Sequence, residues 1–144
     1  MSTSENRLNS AWWSLRIGLG AVPFLAGLDK FFNLLTNWER YLSPIAQRLL
    51  PMSGVTFMHI VGVIEMVVGL AILTRWTRIG SYVAMVWLVL IAVNLIAAGT
   101  FLDVAVRDLV MAIAAYTLAR LTEAREPVTE SQTVPLARHT AQAR

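Results

Sequence analysis

The stretch HIVGVIEMVVGLAIL, residues 59–73, is the most informative about the fold, because it places one carboxylate, Glu65, in the middle of a run too apolar to face water. On a helix, Gly62, Glu65 and Gly69 are spaced by three and four residues and therefore share one face. Glycines on such a face let a second helix backbone come close. We therefore expect a helix–helix contact there, with Glu65 facing the interior of a bundle.

The composition of the chain is that of an integral membrane protein. Its 144 residues are 56% apolar and 15% charged, whereas about a quarter of the residues are charged in ordinary soluble domains. The chain has no cysteine, which excludes disulfides, thiolate metal sites, iron–sulfur clusters and a thiol relay built from this chain. The sequence carries no catalytic signature and no flavin, paired-haem or metal motif, so a non-catalytic role is expected and an enzymatic one stays open.

Four apolar runs are long enough to cross a hydrocarbon core of about 30 Å as helices that rise about 1.5 Å per residue. They occupy residues 12–35, 57–73, 79–98 and 104–121. The predicted architecture is all-α: a four-helix transmembrane bundle over residues 11–121, preceded by a polar segment at residues 1–10 and followed by a solvated polar tail at residues 122–144. A signal peptide is the alternative for the first run, but no small-residue cleavage pattern follows it.

The connection between the first two runs, residues 33–55, interleaves aromatic and aliphatic residues with charged ones. Ser43-Pro44 is typical of a helix N-cap followed by a proline at the first helical position, and Pro51-Met52-Ser53-Gly54 is expected to end that helix. The pattern predicts a short amphipathic helix lying on the membrane surface. A lid over a binding cavity is the alternative.

Arginines are distributed unequally between the two ends of the predicted bundle. If both termini lie on one side, that side carries Arg7, Arg75, Arg78, Arg120, Arg125, Arg138 and Arg144, against Arg40 and Arg48 in the first connection. The positive-inside rule then predicts a multi-pass protein of the bacterial cytoplasmic (inner) membrane with both termini in the cytoplasm. The cations form no continuous basic face, so nucleic acid is not an expected partner. Membrane lipids and other membrane protein subunits are the expected partners.

Polar residues at the outer ends of the four predicted spans form one polar level. They are Asp29, Lys30, His59, Asn94, Asp103, Arg107 and Asp108. We expect Asp103 to pair with Arg107 within one helix, and Lys30 to pair with Asp108 across helices. Asn94 is expected to form an interhelical hydrogen bond. A haem or pigment with His59 as its single histidine ligand is an open alternative, because the other histidine lies in the tail.

Glu65 lies deeper than this polar level, and Arg16 lies in the inner half of the first span. An isolated carboxylate at mid-bilayer costs about 2.5 to 3.5 kcal/mol on insertion scales. Glu65 is therefore expected either to pair with Arg16 or to bind a ligand in its protonated form. The two alternatives differ in the charge that the carboxyl group carries.

Several short motifs occur in order along the four predicted spans. They are Arg16-x-Gly18, Gly27-x-Asp29-Lys30, Gly62-x-x-Glu65-x-x-x-Gly69-Leu70, Asp103 and Arg107-Asp108. Together these motifs, over about residues 13–121, resemble the DoxX family of small bacterial membrane proteins. The resemblance implies a four-helix membrane bundle, in a family associated with quinone-linked respiratory oxidation, as in thiosulfate:quinone oxidoreductase subunits, or with oxidative-stress complexes at the membrane. It also implies functional positions at Arg16, Lys30, Glu65, Arg107 and Asp108, whereas the lack of cysteine departs from the thiol chemistry attributed to some relatives.

Three functions are compatible with these features. The leading hypothesis is a non-catalytic subunit or accessory of a membrane redox or respiratory complex that binds a quinone or lipid head group at the polar level. A quinone carbonyl needs hydrogen-bond donors at the edge of an apolar cavity. The candidate donors are Arg16, Lys30, His59 and Arg107, and the aromatic residue beside the quinone ring would be Trp87 or Phe24. The second hypothesis is a small transporter or an ion- or proton-conducting protein, since intramembrane charges often mark ion paths, although no internal repeat is evident. The third is a purely structural or assembly subunit of a larger membrane complex.

Overall fold

The computed structural model of the protein describes residues 3–125, and every regular element in this range is helical. The elements are α1 (Thr3–Asp29), a 3-10 helix (Trp38–Tyr41), α2 (Pro44–Leu49), α3 (Gly54–Leu73), α4 (Thr77–Ala98) and α5 (Leu102–Arg125). The four long helices pack into a bundle, which confirms the all-α prediction. Three helical stretches, Ser4–Asp29, Gly54–Leu73 and Thr77–Ala98, are long and apolar enough to cross a membrane. The protein is therefore a multi-pass membrane protein with three candidate spans, and a crossing by α5 stays a prediction.

The long helices form two antiparallel pairs. Helix α1 packs mainly on α3, and α4 packs mainly on α5. At one end of the bundle, which we call the terminal end, the start of α1 meets the end of α5, and Trp12 Nε1 donates a hydrogen bond to Thr122 Oγ1 at 2.8 Å. The opposite end, which we call the connection end, carries the 3-10 helix and α2. There the Asn94 side-chain amide donates to the carbonyl of Tyr41 at 2.8 Å and accepts from the backbone N–H of Ser43.

Glycines set the spacing between α1 and α3. A Cβ atom on Gly62 would lie 2.5 Å from the carbonyl oxygen of Gly27, and a Cβ atom on Gly69 would lie 2.5 Å from the carbonyl oxygen of Gly20. Both contacts are backbone against backbone, so neither side can yield to a larger residue. The helix–helix contact predicted from Gly62 and Gly69 is confirmed, and Glu65 lies between these glycines with 8% of its surface exposed.

Helix α1 ends at Asp29, earlier than the predicted end of the first run at residue 35. The Asp29 carboxylate accepts hydrogen bonds from the backbone N–H groups of Leu34 and Leu35, which folds the chain into a turn directly after the helix. Asn33 takes a left-handed backbone conformation in this turn, with φ of 52°, which asparagine adopts more readily than most residues. The apolar residues of this turn therefore belong to the connection and not to α1.

The connection contains the predicted short helix. Ser43 Oγ accepts a hydrogen bond from the N–H of Ala46 at 3.1 Å, and Pro44 is the first residue of α2, so the predicted N-cap is confirmed. Ser53 caps α3 in the same way through the N–H of Thr56. Side-chain oxygens at these two positions bond backbone N–H groups that have no partner within the helix.

Helix α5 continues to Arg125, beyond residue 121, where the polar tail was predicted to begin. Its last turns are held by other helices, because Thr122 accepts from Trp12 and Glu123 accepts from the Tyr82 hydroxyl at 2.9 Å. Helix α1 likewise begins at Thr3, within the predicted polar segment. The rest of the predicted tail lies outside the described residues.

Candidate functional site

Lys30 and Glu65 form a buried ion pair between the end of α1 and the middle of α3. Lys30 Nζ lies 2.5 Å from Glu65 Oε2, and the two side chains are only 4% and 10% exposed. Glu65 is eleven residues into α3, about 16 Å along the helix from its first residue. The predicted pairs Lys30–Asp108 and Glu65–Arg16 were therefore both wrong, because Lys30 and Glu65 bind each other.

The packing of α1 on α3 explains why Arg16 does not reach Glu65. The contacts of Gly20 with Gly69 and of Gly27 with Gly62 define an antiparallel register in which Arg16 lies level with the end of α3. In that register the α1 position facing Glu65 is about eight residues, or about 12 Å, away from Arg16. The backbone of Lys30 lies closer to Glu65 than that of Arg16 does in this register. The long aliphatic stem of Lys30 can also extend through apolar surroundings.

Arg16 instead binds the C-terminal end of α3. Its Nε donates to the carbonyl of Ile72 at 3.0 Å, and one terminal nitrogen donates to the carbonyls of Leu73 at 2.7 Å and Thr74 at 2.6 Å. The last carbonyls of a helix have no partner within the helix, and a cation there also offsets the helix dipole. The guanidinium lies over the ring of Trp12 at 4.8 Å. Arg16 is thus a helix cap at the terminal end.

Trp38 and Asp29 cover the Lys30 ammonium from the connection end. Lys30 Nζ lies 3.7 Å from the centre of the Trp38 ring, a distance at which a cation is attracted to the face of an indole. Trp38 Nε1 donates a hydrogen bond to Asp29 Oδ2 at 2.9 Å, which fixes the ring in place. Sequence reasoning missed Trp38, because its contact with Lys30 depends on the turn after α1 and not on any helical spacing.

Trp87 and Asp108 bring the other two long helices to the same place. The Nε1 atom of Trp87 is buried, and its N–H lies beside the Glu65 carboxylate without the geometry of a good hydrogen bond to any residue within 3–125. Asp108 is half-buried and lies within electrostatic range of Glu65 and Lys30. We call these four residues the polar cluster: Lys30, Glu65, Trp87 and Asp108. They come from the end of α1 and from α3, α4 and α5, respectively.

The polar cluster has unused hydrogen-bonding capacity. Glu65 forms its one well-formed hydrogen bond with Lys30, through Oε2, and the Asp108 carboxylate accepts none from any described residue. The Trp87 N–H lies beside the Glu65 carboxylate but is poorly aligned with it. Because buried polar groups in proteins are nearly always hydrogen-bonded, unpaired donors and acceptors that converge on one site indicate a position for a ligand or water.

The other predicted site residues lie apart from the polar cluster. The His59 ring stacks on Phe31, with the ring centres 4.7 Å apart and the planes 10° from parallel. Asn94 on α4 forms hydrogen bonds between helices, as expected, but its partners are Tyr41 in the 3-10 helix and Ser43 at the N-cap of α2 and not another long helix. The predicted pair of Arg107 with Asp103 is confirmed at 2.8 Å, but both side chains are at least 70% exposed. Among the described residues, no group of three or more histidines and carboxylates is placed to hold a metal ion.

Comparison with protein families matches residues 11–98 to the DoxX family. The chain belongs to the DoxX family. The match spans most of α1 and all of α3 and α4, and it includes Lys30, Glu65 and Trp87, whereas Asp108 lies beyond it. No curated protein and no solved structure matches the chain.

Proposed function

We propose that this DoxX-family protein is a non-catalytic subunit or accessory of a membrane redox or respiratory complex, and that its polar cluster binds the head of a quinone. The observation that carries the proposal is the buried N–H of Trp87, which lies beside the Glu65 carboxylate without forming a well-aligned hydrogen bond to it or to any other described residue. An unpaired buried donor costs about 1 to 3 kcal/mol. A ligand carbonyl that accepts from this N–H would remove that cost.

The polar cluster suits both oxidation states of a quinone. The carbonyl oxygens of the oxidised form accept hydrogen bonds, which Trp87 Nε1 and the Lys30 ammonium would donate. The hydroxyl groups of the reduced form donate hydrogen bonds, which Glu65 Oε1 and the Asp108 carboxylate would accept. A bound quinone would supply two-electron, two-proton redox chemistry, and the residues of this chain would bind and orient its head.

The position of the polar cluster also suits a lipophilic ligand. Lys30 and Glu65 belong to the α1–α3 pair, and Trp87 and Asp108 belong to the α4–α5 pair, so the polar cluster lies where the two pairs meet. The outer faces of the candidate spans carry exposed apolar residues such as Leu25, Val63 and Val86. A ligand whose head lies between the pairs would keep its apolar tail in the bilayer.

The substitution Trp87→Phe tests the proposal, because it removes the N–H and keeps an aromatic ring. The protein would be purified in mild detergent from membranes that contain quinone, and the retained quinone and co-eluting subunits would be quantified. We expect Trp87→Phe to lower the quinone retained per protein roughly fivefold, as for one lost hydrogen bond, without lowering the thermal stability.

The matched control is Trp13→Phe, an exposed tryptophan near the terminal end, which should retain quinone like the unaltered protein. Equal retention by Trp87→Phe and the unaltered protein would contradict the proposed site. If the unaltered protein retains no quinone but retains a phospholipid that Trp87→Phe releases, the head group bound at the polar cluster is that of a lipid.

A purely structural role is the second candidate, and the Lys30–Glu65 pair favours it, since the two charges satisfy each other at 2.5 Å. A pair that only holds helices together can be replaced by apolar residues of similar size. Under this hypothesis the double variant Lys30→Met, Glu65→Leu would keep its co-eluting subunits and its lipids unchanged. Loss of quinone from that variant, with its subunits retained, would favour the binding function.

A further inference from the structure

An open cavity of about 410 Å³ lies at the connection end of the molecule, between the 3-10 helix, α2 and the start of α3. Its walls are formed by Glu39, Leu42, Gln47, Leu50, Met52 and Gly54. The volume falls in the range of small-molecule sites, about 300 to 1,000 Å³. None of these residues belongs to the polar cluster.

Glu39 gives the cavity its chemical character. Its side chain is half-buried, and its carboxylate has no hydrogen-bond or ion-pair partner among the described residues. A Cβ atom on Gly54 would lie 2.6 Å from Glu39 Oε1, so the carboxylate occupies its position because residue 54 has no side chain. An unpaired carboxylate in a partly enclosed site favours a cationic ligand that can donate hydrogen bonds.

The rest of the wall is compatible with an amphipathic ligand. Gln47 Nε2 donates to the carbonyl of Leu42 at 3.4 Å, which leaves the Gln47 amide oxygen free to accept a hydrogen bond. The other side chains of the wall are Leu42, Leu50 and Met52, which offer apolar contact. A ligand with an ammonium group and apolar chains matches this combination of one charge, one neutral acceptor and aliphatic surface.

The location of the cavity identifies the source of such a ligand. The connection joins α1 to α3, which are both candidate membrane spans, so the cavity lies where lipid head groups are concentrated. Two arginines on the same connection, Arg40 and Arg48, are exposed and form no ion pair with any residue in the range 3–125. Arginine binds phosphate well, and a phosphate beside an ammonium is the head group of an aminophospholipid.

We propose that this cavity binds the head group of a phospholipid that carries a primary ammonium. The ammonium donates to the Glu39 carboxylate and the Gln47 amide oxygen, and the phosphate binds Arg48, the neighbour of Gln47 on α2; Arg40 lines a separate small cavity with Thr36, Tyr41 and Phe101. The acyl chains contact the aliphatic wall. This site is separate from the polar cluster, so it stands whether or not the polar cluster binds quinone.

Native mass spectrometry of the full chain in detergent tests the proposal, with phosphatidylethanolamine and phosphatidylcholine of identical acyl chains as competing probes. A trimethylated ammonium cannot donate hydrogen bonds, so the unaltered protein should bind phosphatidylethanolamine roughly fivefold more tightly, which corresponds to about 1 kcal/mol. Glu39→Gln should reduce this preference to below about twofold, because the amide keeps the size but loses the charge.

Two further variants control for charge and shape. Asp103→Asn removes one exposed carboxylate at the same end of the molecule and should keep the preference. Gly54→Ala leaves the charge unchanged and forces only the flexible end of Glu39 to move, so it should reduce the preference less than Glu39→Gln does. Equal binding of the two lipids by the unaltered protein, or an undiminished preference in a folded Glu39→Gln protein, would overturn the proposal.

Discussion

Lys30 and Arg16 show how the surroundings of a cationic side chain determine which groups it binds. Lys30, a point charge on a flexible stem, neutralises one carboxylate at mid-bundle and lies against the face of Trp38. Arg16, with several donors in a planar fork, binds three carbonyls at the end of α3. The two side chains are not interchangeable, because a single ammonium cannot match that spread of acceptors.

At the Lys30–Glu65 pair, we predict that Glu65→Gln destabilises the protein and that Lys30→Met together with Glu65→Leu recovers most of the loss. The single change leaves a buried ammonium without its counter-charge, at a cost of about 3 to 5 kcal/mol, whereas the double change removes both charges. Thermal unfolding in detergent, followed by tryptophan fluorescence, measures the stability of the single and the double variant. Asp103→Asn, which breaks an exposed pair, should change stability by less than about 1 kcal/mol. The single variants Lys30→Met and Glu65→Leu complete the cycle, and single effects that add up to the effect of the double variant would rule out the coupling.

Small residues determine how the helices pair. Helices α1 and α3 meet through glycines, whereas the buried face of α5 is largely alanine. The members of that face are Ala105, Ala112, Ala115 and Ala119, together with Leu118. Association of helices in a bilayer depends on close van der Waals packing because lipid tails are as apolar as the side chains, so small residues on these faces stabilise both pairs.

Gly62→Ala should destabilise the protein by about 1 to 3 kcal/mol, because its methyl group would meet the backbone carbonyl of Gly27 and force α1 and α3 apart. The control is Gly18→Ala, in the same pair of helices, where a Cβ atom meets nothing within 4 Å. That variant should be unchanged or more stable by up to about 1 kcal/mol, since alanine favours the helix. Thermal unfolding of the two variants, measured side by side, tests this prediction. Equal stability of the two variants would mean that α1 and α3 do not approach closely at Gly62.

For the whole molecule, the pairing of α5 with α4 bears on how the chain crosses the membrane. Asp103, Arg107 and Asp108 make the start of α5 more polar than the other long helices, and it is not among the three candidate spans. Yet α5 packs antiparallel on α4, from the Ala105 contact near its start to the Tyr82–Glu123 hydrogen bond near its end. If α4 crosses the bilayer, α5 crosses with it, and both described ends of the chain lie on one side.

The chain has no cysteine, so single cysteines can report this topology. We predict that Leu49→Cys and Thr100→Cys react with a membrane-impermeant thiol reagent added outside intact cells, whereas Arg75→Cys and Ala124→Cys react only after the membrane is opened. All four positions are exposed in the structure. The unaltered protein is the unlabelled control. Labelling of Ala124→Cys alongside Leu49→Cys and Thr100→Cys from outside would show that α5 does not cross the membrane. Labelling of only Arg75→Cys and Ala124→Cys from outside would show that the orientation is the reverse of the predicted one.

Composition and short-range spacing were enough to predict the features that lie within one element. The apolar runs predict the helices, Gly62 and Gly69 predict the packed face of α3 with Glu65 on it, Ser43 predicts the cap of α2, and the four-residue spacing of Asp103 and Arg107 predicts their pair. Each of these follows from the geometry of one helix or one turn. The family resemblance rests on the same local patterns, and it is confirmed over residues 11–98.

Which polar groups meet depends on how the helices pack against one another. The partner of Glu65 depends on the register of α1 against α3, which the close approach of Gly27 to Gly62 sets and no spacing within one helix reveals. Trp38 reaches Lys30 because Asp29 folds the chain back after α1, and Trp87 faces Glu65 because α4 packs beside α3. Side chains on different helices are brought together by packing between backbones, and sequence spacing carries information only about contacts within one element.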